Sequence, residues 1–136
     1  WKNVTHASGD VLDTNEIVDL LERAPQLIDC SFSITDGGRR VVPLFPDHQP
    51  VTHPQLKSLT VDLRRELTNL FGNISLPGLT KLTLISQVDV PVDALISLLA
   101  RSCCPLEEIN LQSDCITGKD LVQLARAAPL LTKLSI

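Results

Sequence analysis

The chain has no methionine, a single tryptophan and three phenylalanines, so aromatic residues fill only 3% of its 136 positions. Any interior must be built from leucine, isoleucine and valine, and a hydrophobic content of 43% is ample for that. Long apolar runs are missing too. The longest is a few residues, against the ~20 that a membrane-crossing helix needs. No charged-then-apolar leader opens the sequence. Basic clusters are equally scarce: Arg39-Arg40 and Arg64-Arg65 are the only doublets among twelve Lys and Arg, and the net charge is −4. A nucleic-acid ligand needs a concentrated basic face, so that class is excluded.

Metal and redox signals are absent in the same way. Cys30, Cys103, Cys104 and Cys115 include no Cys-x-x-Cys pair, the spacing that usually supplies zinc thiolates. Nor do they form a disulfide framework, which points to an intracellular, cytoplasmic or nuclear compartment. Two sequons, Asn3-Val4-Thr5 and Asn73-Ile74-Ser75, are the argument for an extracellular origin. Catalytic constellations are not found either. His6, His48 and His53 stand in loop-like contexts without a nucleophile at recognisable spacing, and Gly37-Gly38 is not a phosphate loop. The pairs Asp19/Glu22 and Glu107/Glu108 read as solvated surface charge. The sequence therefore predicts no catalytic residue, no cofactor, no metal and no enzymatic activity.

What is present is repetition. A six-residue phrase occurs at Leu27–Phe32, Leu56–Val61, Leu79–Leu84, Leu106–Leu111 and Leu131–Ile136, at steps of 29, 23, 27 and 25 residues. A period of that size signals a repeat array rather than a conventional core. Within the phrase apolar and polar residues alternate, as in a half-buried strand. Between phrases, Ile17, Leu20, Leu21 and Ala24 form a helical stripe, opened by Asp13 and Glu16 at capping-box spacing. The stripe returns as Val92, Leu95, Ile96 and Leu99 after Pro91, and as Leu121, Leu124, Ala125 and Ala128 behind the Thr117/Asp120 pair. Pro25, Pro105 and Pro129 mark each helix-to-strand corner, because proline cannot continue the helix and pushes its predecessor toward extended backbone.

Two units depart from the plan. Residues 33–53, with Gly37-Gly38 and Pro43, Pro46 and Pro50, predict an irregular insertion holding one short extended piece at Val41-Val42. Residues 62–76 allow a short helix near Glu66–Phe71. Both reach their phrase through a similar lead-in, Val51-Thr52-His53-Pro54 and Ile74-Ser75-Leu76-Pro77, which predicts an extended corner. Residues 1–12 read as the end of a strand and its loop, with Ser8, Gly9 and Asp10 as turn formers. Starting at Trp1 and stopping on the last residue of a phrase, the chain reads as one segment, 1–136, excised from a longer protein.

The stretch Leu98-Leu99-Ala100-Arg101-Ser102-Cys103-Cys104-Pro105-Leu106-Glu107-Glu108-Ile109-Asn110-Leu111, followed by Cys115-Ile116-Thr117, resembles the cysteine-containing class of leucine-rich repeats, in particular those of F-box proteins, including the divergent fungal sets. Their order is a helix ending in Cys-Pro, a strand Leu-x-x-Leu-x-Leu, a Cys and an Ile-Thr-Asp turn. Here Cys115 falls one residue late, Gly118 replaces the Asp, and Pro25 and Pro129 follow alanine. The resemblance implies the substrate-recognition part of an F-box-type ubiquitin ligase receptor, provided that an F-box lies upstream.

The expected fold class is α/β: a leucine-rich-repeat solenoid with a curved parallel sheet of about five strands, helices on the outer face, and truncation at both ends. The expected function is a protein-binding repeat module with a protein partner and no nucleic acid or membrane. An extracellular or surface recognition domain is the alternative, and an enzymatic or small-molecule-binding domain has no polar constellation behind it. Repeat proteins commonly bind on their concave sheet face, which the alignment lines with two rows. One is Asp29, Ser58, Lys81, Glu108 and Lys133; the other is Ser31, Thr60, Thr83, Asn110 and Ser135, flanked by Asp62 and Gln112. The competing reading is an ordinary solvated sheet face, since the rows lack Trp, Tyr and Arg anchors. A second candidate site is the insertion, through Arg39, Arg40, Phe45, His48 and His53.

Overall fold

The computed structural model describes residues 3–12, 14–34, 51–63, 74–86, 92–113 and 117–135. Among the described residues, eight strands and three helices follow one another as β1 (His6–Leu12), α1 (Thr14–Arg23), β2 (Asp29–Ile34), β3 (Val51–Thr52), β4 (Ser58–Leu63), β5 (Ile74–Ser75), β6 (Lys81–Ser86), α2 (Val92–Ser102), β7 (Glu108–Gln112), α3 (Gly118–Ala127) and β8 (Lys133–Ser135). Six of the strands make one all-parallel sheet in the order β1-β2-β4-β6-β7-β8. The order never doubles back. Each new phrase adds its strand to the same edge of the sheet.

One backbone device repeats at every step. The carbonyl just before a strand accepts two N–H groups from the start of the next phrase. Thr5 takes those of Ile28 and Asp29, Ile28 those of Lys57 and Ser58, and Lys57 those of Thr80 and Lys81. Thr80 takes those of Glu107 and Glu108, and Glu107 those of Thr132 and Lys133, all at 2.7–3.1 Å. This fixes the register, so residues of one type line up across the sheet. Cys30, Leu59, Leu82 and Ile109 form one inward row and are at most 1% exposed; Phe32, Val61, Leu84 and Leu111 form the next. Burial contributes about 1.5–3 kcal/mol for each large aliphatic side chain.

β1 corrects the expected count of about five strands to six. Val4 lies two residues before His6, which pairs with Asp29, so it occupies the place of Leu27. A sixth phrase, Val4–Gly9, is thus present, and Ser8, Gly9 and Asp10 belong to a strand rather than to a turn.

Behind the sheet, α1 packs beside β3, β3 pairs with β5, β5 lies beside α2, and α2 beside α3. The lead-ins are therefore extended at 51–52 and 74–75, turn at Pro54 and Pro77, and occupy the layer that helices fill elsewhere. The insertion predicted at 33–53 is corrected at both ends: Ser33 belongs to β2, and Val51 and Thr52 to β3. Its middle, with Val41-Val42, and the short helix predicted near Glu66–Phe71 lie outside the described residues, as do Asp13 and Pro91.

The helical stripes are largely those expected. Ile17, Leu21, Ala24, Val92, Leu95, Leu99, Leu124 and Ala128 are buried. In α2, however, Leu98 is buried in place of Ile96, which is half-buried, and in α3 Ala125 is exposed. The Thr117/Asp120 capping box is present, with Asp120 N donating to Thr117 Oγ1 at 3.3 Å and Thr117 N to Asp120 Oδ2 at 3.2 Å.

The corners at Pro25, Pro77 and Pro129 are tight turns, whereas residues 104–107 around Pro105 carry none. Leu27 N–H donates to Ala24 O, Leu79 to Leu76 O and Leu131 to Ala128 O, each at 3.1 Å. Pro25, Pro77 and Pro129 stand second in these turns, where a fixed φ is suitable and no N–H is required. In the Leu76–Leu79 turn the third residue is Gly78. A Cβ there would drive into the backbone carbonyl of Pro54 in the preceding unit. Gly78→Ala is therefore expected to cost about 1–3 kcal/mol through backbone displacement. Gly118→Ala, at a helix start with open space around it, is expected to be neutral or slightly stabilising. Paired denaturant titrations of the two variants check this.

Three long-range bonds support the units without helices. His53 is buried; its Nε2–H donates to Ala24 O at 2.8 Å, and its Nδ1 accepts the Leu56 N–H at 3.2 Å. Buried Ser102, at the end of α2, accepts the Leu76 N–H at 2.9 Å, and Arg101 donates to Ile74 O at 2.6 Å. Backbone groups that no helix ladder would satisfy thus find partners from neighbouring units.

Candidate interaction surface

Strand geometry sends alternate side chains to opposite faces, and the inward rows leave their neighbours on the other face. Register brings together the residues that the sequence singles out. Asp29, Ser58, Lys81, Glu108 and Lys133 run across the sheet as one line, and Ser31, Thr60, Thr83, Asn110 and Ser135 as the next. Ser31, Lys81, Gln112 and Lys133 are exposed; the other eight of the twelve predicted positions are half-buried, and none is buried.

The sequence reading misses three features of this face. β1 extends the first line by His6 and the second by Ser8. The flanking positions Asp62 and Gln112 are not neighbours, because Ile85 stands between them in the row Ser33-Asp62-Ile85-Gln112. Ile85 gives the polar face one half-buried aliphatic position. Only the register reveals it, since it lies one residue beyond the recurring phrase.

Electrostatically the first row alternates. Lys81 pairs in register with Glu108, and Glu108 with Lys133, whose Nζ lies 3.5 Å from Glu108 Oε1. The Lys133 side chain is 67% exposed, so this pair is screened and worth at most about 1 kcal/mol. Thr60, Thr83 and Asn110 offer hydroxyl and amide groups at strand spacing. Such a ladder can hydrogen-bond a partner laid across it, but it contains no nucleophile with a base beside it.

The second candidate site fares differently. His53, predicted as a surface contact of the insertion, is 2% exposed and holds core backbone. Arg39, Arg40, Phe45 and His48 lie outside the described residues. Among the described residues no group of three His, Cys, Asp or Glu side chains could hold a metal ion. No helix among them is long and apolar enough to cross a membrane.

Cys30, Cys103 and Cys104 are free thiols. The two cysteines at the end of α2 differ in exposure. Cys103 is exposed, in the left-handed backbone conformation that ends α2 (φ 49°), and Cys104 is half-buried. Among the described cysteines Cys30 is the buried one. Burial, with a smaller contribution from neighbouring Asp29, pushes its thiol from 9.0 up to about 12. The folded state therefore holds this proton more tightly than the unfolded chain. The corresponding stability is complete below about pH 9 and falls as pH rises toward 12, at about 1.4 kcal/mol per pH unit for one proton. Cys30→Val is expected to remove that alkaline slope, measured as the difference between the two proteins' unfolding free energies from pH 8 to pH 11.

No protein-family model matches the chain, and comparisons with curated proteins and with solved structures return no match.

Proposed function

We propose that the chain is a leucine-rich-repeat solenoid segment of the cysteine-containing type, acting as a protein-binding module through the open sheet face. The carrying observation is the two in-register polar rows that cross the whole sheet. Five repetitions of one backbone device and a sheet in strict sequence order support the repeat reading. On this reading the module is the substrate-recognition part of an F-box-type ubiquitin ligase receptor, supported by the Cys-Cys-Pro-Leu phrase at 103–106 and by the free thiols.

Photo-crosslinkers at Thr83 and Asn110, compared with one at Ala125 on α3, test the surface. A partner trapped from both face positions and not from the helix supports the proposal. Trapping from the helix alone would refute it. Co-expression of the full-length protein with its trapped partner then tests the ligase role: the partner should gain ubiquitin, and no gain assigns the face to recognition of another kind.

A second reading, an extracellular recognition domain, has one observation in its favour. Asn3, the acceptor of the first sequon, is exposed in a turn. Glycosidase treatment of the secreted protein would lower its mass if that reading holds.

A further inference from the structure

Two cysteines are adjacent in the chain, and the structure sets them at a joint. Cys103 and Cys104 stand between Ser102, the last residue of α2, and Pro105, which leads toward β7. Both are free thiols, Cys103 exposed and Cys104 half-buried. The site lies inside the array, since α2 has both β5 and α3 beside it.

The groups at this joint hold the chain in place. Cys103 N–H donates to Leu99 O at 3.0 Å and its thiol to Ala100 O at 3.4 Å, so the residue serves two of the carbonyls that a helix end leaves open. It does so in the left-handed region, φ 49°, which is unfavourable for any side chain other than glycine. Directly before it, Ser102 accepts the Leu76 N–H and Arg101 donates to Ile74 O, the two bonds by which α2 holds the β5 unit.

Adjacent cysteines can be bridged, but not without strain. Neighbouring Cα atoms lie about 3.8 Å apart across a trans peptide. Ordinary disulfides span ~4.4–6.8 Å, so a bridge here is easily reduced. The strain is not shared equally. Pro105 restricts Cys104 to extended backbone, and the adjustment falls on Cys103, whose sulfur also ceases to be a donor when it is oxidised.

We propose that Cys103 and Cys104 form a reversible modification site, which small disulfide oxidants of the glutathione class close to a vicinal disulfide, and that closure loosens the hold of α2 on β5. The exposed Cys103 reacts first, because burial raises the Cys104 pKa and keeps that thiol protonated. The Cys103 thiolate attacks one sulfur of the oxidant and breaks its S–S bond; one thiol leaves and a mixed disulfide remains. Cys104 then gives its proton to solvent, attacks Cys103 Sγ and expels the second thiol. The pair loses two electrons and two protons, and the oxidant becomes two thiols. Such a site has no Cys-x-x-Cys spacing to reveal it.

Oxidised glutathione added to the full chain carrying Cys115→Ser tests this, followed by acid quenching, alkylation and peptide mass mapping. The expected product has lost two hydrogens, retains no glutathione, carries its bridge at 103–104 and reopens in excess reduced glutathione. The unsubstituted chain should give the same bridge. Adding Cys104→Ser should instead leave one glutathione on Cys103. Hydrogen exchange reads the effect on β5: protection of the Leu76 amide should fall about tenfold in the bridged form, while that of Leu82 stays unchanged. A pair that stops at the mixed disulfide, or whose thiols both remain open to alkylation, overturns the site. A bridge that leaves Leu76 protection unchanged overturns the link to β5.

Discussion

Leu82→Ala is expected to lower the unfolding free energy by about 2–5 kcal/mol, toward the upper part of that range. Leu82 is 0% exposed in β6, with Leu59 in register on one side and Ile109 on the other. Both neighbours belong to strands held by backbone hydrogen bonds, so neither can move in to fill the space left behind. The cavity remains, and the lost dispersion contacts add to the lost transfer energy. Leu134→Ala is the internal comparison. It removes the same atoms from the same row, but at the open edge, where the side chain is 39% exposed. About 1 kcal/mol or less is expected there, since much of the transfer term is already forfeited. For a chain of this size 4 kcal/mol corresponds to roughly 14 °C in thermal midpoint. Urea titrations with unchanged slope would place both effects in the native state. Equal costs at the two positions would mean that the row does not form as described.

The recurring phrase makes the sheet legible because an apolar residue at the first, fourth and sixth places is needed in every central strand. The copy at Val4–Gly9 breaks that pattern for a physical reason. An edge strand is supported from one side only, so Ala7 and Gly9 fit there although Gly9 and its polar neighbours read locally as a turn. The same one-sidedness explains α3. Ala125 completes a good helical stripe yet is exposed, because nothing packs on that flank among the described residues. In the polar rows period two is enough to name the residues and the register supplies the rest, but Ile85 lies past the repeat and leaves no periodic trace. Least legible are His53 and Ser102. Their partners stand 29 and 26 residues away, and no local spacing encodes a bond between one unit's side chain and another unit's backbone.

That distance makes His53 the second informative substitution. The ring serves two backbone groups at once, giving its Nε2 hydrogen to Ala24 O and taking the Leu56 N–H at Nδ1. Ala24 O also accepts the Leu27 N–H at 3.1 Å, so it keeps a partner when the ring is removed. The Leu56 amide does not. In the turns at Leu76–Leu79 and Ala128–Leu131 the fourth N–H bonds the first carbonyl, whereas here the histidine side chain takes that place. His53→Leu preserves most of the buried volume and leaves this amide unsatisfied, at an expected cost of about 3 kcal/mol once the lost bond to Ala24 is included. His53→Asn separates the two roles. Its side-chain oxygen can accept an N–H a few residues ahead, as asparagine does in turns, but the shorter side chain does not reach Ala24. It should cost about half as much as the leucine variant. Hydrogen exchange at the Leu56 amide distinguishes this account from simple loss of packing. Protection, measured against that of Leu59 in β4, should collapse in His53→Leu and persist in His53→Asn. Full protection of Leu56 in the leucine variant would show that the ring does not hold this corner.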